Sequence, residues 1–120
     1  MVQKVNLAQK LSLFHEYYTP KIVAEVNDVE LKVVKVKGEF EWHTHDRADE
    51  LFLVLKGRFC VCLRTGDLWL DEGELAVVPR GVEHRPFAEE EAHILLIELK
   101  GTVNTADLRT KHTVLQPEKI

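Results

Sequence analysis

The sequence predicts an all-β chain whose antiparallel strands close into a sandwich or barrel, preceded by one short helix. Short apolar or alternating runs recur from Lys21 to Leu99. Turn signals separate several of them, at Asn27-Asp28, Lys56-Gly57, Thr65-Gly66-Asp67 and Asp71-Glu72-Gly73. The third observation is chemical: His43, His45, Glu50 and His84 meet only if those strands fold back on each other.

Taken in order, Asn6 is placed to cap a helix in which Leu7, Leu11 and Phe14 recur at helical spacing, and Pro20 follows its end. Strands are expected over Lys21–Val26 and Val29–Lys37. The apolar phase of the latter slips at Val33-Val34, which suggests a bulge near Val33. Further strands are expected over Phe40–Thr44, Glu50–Lys56, Arg58–Arg64, Leu68–Leu70, Glu74–Val78, His84–Ala88 and His93–Leu99. If Glu50 faces inward, so do Phe52 and Val54, while Leu51, Leu53 and Leu55 face out. A strand apolar on both sides must be covered on both, by the second sheet, the helix or another subunit. His93-Ile94-Leu95-Leu96-Ile97 makes the same demand, and a homodimer is expected.

On a strand alternate residues share a face, so His43 and His45 point the same way. Glu50 opens the next run, and the Pro79-Arg80-Gly81 turn aims His84 from elsewhere in the barrel. Imidazole and carboxylate without thiolate suit a divalent transition metal: iron, manganese, nickel, zinc or copper. Four protein ligands leave one or two octahedral positions for water or substrate, as in a catalytic rather than a closed structural site.

The residues fall into two motifs, Gly38-x4-His43-x-His45-x4-Glu50-x6-Gly57 and Gly73-x5-Pro79-x-Gly81-x2-His84. In these the chain resembles the small single-domain cupins. Four residues rather than the usual five separate Gly38 from His43, and Ala88 stands where the family often has asparagine; neither departure removes a ligand. Val5-Asn6-Leu7 through Lys21-Ile22-Val23, and Lys100 to Thr105, also look like the ends of short bacterial cupins. The resemblance implies a double-stranded β-helix, or jelly-roll barrel, with residues 1–120 forming one cupin domain and its barrel core at about 29–100.

Composition agrees. At 120 residues and 45% hydrophobic content the chain can bury a core without disulfides. A formal net charge of −4 with no basic run argues against nucleic acid as partner. With neither a cleavable signal peptide nor an apolar stretch of spanning length, no membrane role and a cytoplasmic location are expected. Cys60 and Cys62, the only cysteines, share one strand face and are expected to be reduced and packed in the barrel. His15 and His112 are expected in solvent, and His93 at the barrel mouth.

Phe40, Trp42, Phe52 and Phe87 lie near ligands in sequence and are candidates to line a substrate pocket, or plain core. Arg47, Arg80 and Arg85 are candidates to receive an anion, or rim charges. His93 joins the pocket candidates. The functional expectation is a metal-dependent enzyme of dioxygenase, isomerase or lyase type acting on a small molecule. The alternatives are a non-catalytic binding or sensor cupin with a metal-organised pocket, and a fold whose metal is structural.

Overall fold

The computed structural model describes residues 2–120. Helix α1 (Leu7–Leu11) begins as its cap predicts: the extended Asn6 accepts the Gln9 backbone N–H at 3.0 Å, satisfying one orphan donor of the first turn. The strands are β1 (Lys21–Val26), β2 (Val29–Glu39), β3 (Glu50–Lys56), β4 (Phe59–Leu63), β5 (Gly66–Leu70), β6 (Leu75–Val78) and β7 (His84–Leu99). Every ladder between them is antiparallel, in the order β1-β2-β7-β3-β6 with β4 joining β5 to β7.

Strand β7 closes the barrel. Residues 93–98 lie between β2 and β3, whereas residues 84–87 pair with β4. The sequence reading divided this strand in two, but it is continuous. Its register against β2 jumps from Val36↔Ala92 to Gly38↔Ala88, leaving Glu89, Glu90 and Glu91 exposed in a bulge. An acidic triplet interrupts the apolar alternation because those charges cannot face a barrel interior without a large desolvation cost.

Two other expectations are corrected. No strand covers Phe40–Thr44; β2 runs to Glu39, and residues 40–49 are irregular apart from a backbone bridge between His43 and His84. The irregularity expected near Val33 lies not in β2, whose pairing to β7 is continuous from Val29 to Val36, but in its neighbour β1, whose register shifts between Ile22 and Ala24 opposite Lys32 and Leu31. The phase slip has another cause: β2 is covered on both faces. Val34 and Val36 join Phe52, Val54, Phe59, Val61, Ile94 and Leu96 inside the barrel, while Val33 packs outside with Leu11, Phe14, Val23 and Leu95.

That outer cluster also answers the question posed by β3. Leu53 and Leu55 pack against it, so the cover there is largely α1 and its flanking segments. Farther along the same face, Leu75 and Val77 of β6 remain 54% and 51% exposed opposite Leu53 and Leu51. Among the described residues, no helix is long and apolar enough to cross a membrane.

Candidate metal centre

His43 and His84 position each other, each donating its backbone N–H to the other's carbonyl at 3.0 Å. The Gly81 N–H donates to the His45 carbonyl at 2.9 Å, which ties the Pro79–Gly81 turn to the first motif. Gly81 takes φ +83°, a left-handed conformation that glycine adopts without the Cβ penalty. The turn therefore links the motifs, as the spacing suggested.

The side chains converge. One ligand atom from each of His43, His45, Glu50 and His84 lies within 4.8 Å of the others, and all four residues are buried. His43 donates from Nδ1 to the Glu41 carbonyl at 2.8 Å, and His84 from Nδ1 to the Val82 carbonyl at 2.9 Å. Backbone bonds of this kind hold the ring tautomer and turn Nε2 toward the centre.

His84 Nε2 lies 3.1 Å from Glu50 Oε1, and His45 Nε2 lies 3.6 Å from the same oxygen. His45 Nε2 is buried without any hydrogen-bond partner. Imidazole nitrogens converging on one carboxylate in a dry site make a place that a shared cation would satisfy, whether a proton or a metal ion. The donor set thus fits a borderline transition metal on its own chemistry.

Electrostatics agree. Burial pushes the His43 imidazole down to about 4, and burial likewise lowers His45 against the opposing pull of Glu50. Burial alone would raise Glu50, but hydrogen bonds with His84 and Glu98, and the nearby imidazoles, hold it below the usual carboxylate range. Neutral rings and an ionised carboxylate are the ligating states.

Behind Glu50 lies a buried charged chain that sequence reasoning missed. Lys32 Nζ bonds Glu98 Oε1 at 2.8 Å and lies 3.7 Å from Glu30, with all three residues at most 6% exposed. Burial first, then the charge of Glu50, raise Glu98 well above the carboxylate range. Glu98 Oε2 is buried without a partner, and the raised Glu98 carboxyl and the lowered Glu50 carboxylate are cross-strand neighbours. A signal was present: Lys32 shares the inward phase of Val34 and Val36, and Glu98 that of Ile94 and Leu96.

His43 and Glu50 border a narrow, almost wholly apolar cavity of about 40 Å³ with Tyr18, Phe40, Phe52, Phe59, Ile94 and Leu96. Phe40 meets His43 edge-on at 5.4 Å, and Phe52 meets His84 at 6.0 Å. Of the other pocket candidates, Trp42 lies outside the cavity with the guanidiniums of Arg64 and Arg85 at 3.7 and 5.3 Å from its ring. Phe87 faces Trp69 on the outer surface of β4, β5 and β7. Arg80 is exposed and bonds Asp49, and His93 sits outside the barrel beside α1, 2.7 Å from Glu91. Arg47 lies exposed in a shallow groove with His45, Lys100 and Arg109.

The tail supplies the remaining wall. Asn104 lines the cavity, donating to the His112 carbonyl at 2.8 Å and accepting the Val114 N–H at 2.9 Å. His112, expected in solvent, instead stacks on Phe40 at 5.1 Å and pairs with Glu41 at 2.8 Å. No local pattern announces such a contact between residues 71 apart in the chain. His15 is exposed. Cys60 and Cys62 are free and buried, but they face away from the interior that Phe59 and Val61 fill.

Comparison with known proteins agrees with this architecture. The cupin domain family (Cupin_2) matches residues 31–99, more than half of the chain and all four converging side chains. The chain belongs to the cupin family. A cupin-2 domain protein of Shewanella frigidimarina is 44% identical, with a TM-score of 0.79 over 80% of this chain and 94% of that one. The cupin also matches protein NMB1881 of Neisseria meningitidis, 35% identical, with a TM-score of 0.75 over 82% of this chain and all of that one. An uncharacterised protein of Bacillus subtilis, YdbB, is 33% identical over 64 residues. That match spans 52% of this chain and 57% of YdbB, little more than half of each.

Proposed function

We propose that this cupin is a metal-dependent enzyme acting on a small, at least partly apolar molecule, with His43, His45, Glu50 and His84 holding one divalent transition ion. The observation that carries the reading is the buried, unpartnered His45 Nε2 beside Glu50 and two further imidazoles, at the edge of an apolar cavity. When bound, such an ion supplies Lewis acidity or redox chemistry of dioxygenase, isomerase or lyase type. Phe40, Phe52 and Phe59 exclude water and hold the apolar part of the substrate. Tyr18 donates its hydroxyl to the Gly38 carbonyl at 2.6 Å, and both ends of the Asn104 amide are engaged by the tail. Among the described residues the cavity wall therefore offers no free nucleophile, and the chemistry rests on the metal position.

The same engagement of Tyr18 and Asn104 favours one second reading, a non-catalytic binding or sensor cupin whose metal organises the pocket. We further propose that residues 1–120 act as one cytoplasmic cupin domain and pair as a homodimer through the face bearing Leu75 and Val77. The deciding experiment is a turnover screen of metal-loaded protein against small phenols, thiols, keto acids and sugars, with and without oxygen. Turnover abolished by His84→Ala supports the enzyme; binding without turnover under iron, manganese, nickel, zinc and copper alike replaces it with the sensor.

A further inference from the structure

A second group of metal-ligating side chains lies on the other surface of the barrel wall. Phe59 and Val61 of β4 point into the barrel, so the alternation of the strand turns Cys60 and Cys62 outward. Their sulfurs stand 3.5 Å apart and unbonded. Asp67 of β5 is the cross-strand partner of Cys62, and Arg85 of β7 is its partner on the other side. One ligand atom from each of Cys60, Cys62 and Asp67 lies within 4.8 Å of the other two.

We propose that Cys60, Cys62 and Asp67 form a second metal site, separate from the histidine centre and selective for thiophilic ions of the zinc, cadmium and copper(I) class. A tetrahedral ion with bonds of about 2.3 Å to sulfur requires the two sulfurs roughly 3.8 Å apart. The observed 3.5 Å needs an adjustment of only a few tenths of an ångström. Two thiolates and a carboxylate around a divalent ion leave one net negative charge. The Arg85 guanidinium, with Nη2 3.9 Å from Cys62 Sγ and a buried Nε that has no partner, stands where that charge would be offset.

Selectivity follows from the thiols. Binding transfers the sulfur–proton bonding pairs to the metal and releases two protons to solvent, with no change in oxidation state. Thiolate sulfur is a soft donor, so ions with strong affinity for sulfur displace the thiol protons, and magnesium or calcium does not. Exposed Asp67 provides the route in, while Trp69 and Phe87, cross-strand neighbours of Cys60 with rings 6.1 Å apart, flank the inner end.

The test is titration of the reduced full chain with Cd²⁺, read by the ultraviolet thiolate-to-cadmium charge-transfer band, which the histidine centre cannot produce. The expected result is a saturable band, release of about two protons per ion bound at sulfur, and no competition from excess Mg²⁺. Cys62→Ser should abolish the band, and Asp67→Ala, at an exposed position that does not threaten folding, should weaken binding about tenfold. Absence of the band at excess Cd²⁺ overturns the site, as does an Asp67→Ala titration with unchanged affinity. Zn²⁺ that fails to displace the bound Cd²⁺ at any excess overturns the assigned ion class.

Discussion

His43 carries the clearest consequence at the scale of single residues. Its folded pKa is lowered to about 4 by burial, against about 6.5 for an ordinary histidine. The stability linked to its neutral ring is therefore present above 6.5 and is lost as pH falls from 6.5 toward 4, an effect of roughly 3 kcal/mol. Glu98, whose pKa is raised, acts in the opposite sense, costing stability as pH rises above the carboxylate range. The ring itself is thus the clean readout. In metal-free protein the His43 resonances should not titrate between pH 7 and 5; an NMR midpoint near 6.5 would contradict its burial. Metal release on acidification, a general expectation for histidine ligands, should accordingly begin lower than it would from exposed rings. Glu98 makes a second prediction. Glu98→Ala removes the carboxyl that lies cross-strand from Glu50 and leaves Lys32 with the more distant Glu30, so metal affinity measured by chelator competition should fall about 10- to 100-fold. Glu98→Gln, whose amide can donate to Glu50, should retain more of it. Equal losses in the two variants would assign the effect to the Lys32 ion pair instead.

At the level of elements, the turn between β3 and β4 is the most tightly determined. Gly57 has φ +84°, and a Cβ built there would stand 2.9 Å from the Glu91 carbonyl oxygen and 3.2 Å from the Ala92 Cα, both backbone atoms of the β7 bulge. Gly38 has a similar φ of +77° and open space. Gly38→Ala should cost the left-handed penalty alone, about 1–2 kcal/mol. Gly57→Ala should cost more, because the bulge must move as well. Urea denaturation of the two variants checks this, and equal midpoints would show that the bulge yields freely. The elements were legible in proportion to how local their causes are. The cap on α1 and the turns after β3 and β4 rest on residues within a few positions. The continuity of β7 does not, since whether an acidic triplet ends a strand or bulges from it is decided by the pairing of β2 on the far side.

Across the whole molecule, the open question at the surface is what meets β6. The outer face of β3 at Leu53 and Leu55 is served by α1, but Leu75 and Val77 are half-exposed beside Leu51. Light scattering should report a dimer, and Val77→Lys should shift it toward monomer without loss of fold, because the change places a charge on a face meant to be covered. Leu53→Lys should instead unfold the chain, since its neighbours are intramolecular; a wild-type monomer at every concentration would remove the case for a partner. What the order of residues determined by itself was the all-β class and the turns, because alternation and turn chemistry are properties of a few consecutive residues, and the four side chains His43, His45, Glu50 and His84 through their motif spacing; strand alternation did not place His43 and His45, which lie in an irregular segment held by its bridge to His84. The assembly around them was decided only in three dimensions. Trp42 and Phe87 sit close to ligands in sequence yet lie outside the cavity, while Asn104, remote in sequence, lines its wall and His112 stacks on the lining Phe40. Lys32 and Glu98 became neighbours of the centre through the β2–β7 ladder. A strand assigns each side chain a face, but which face becomes the interior, and what the tail covers, depends on how the sheet closes.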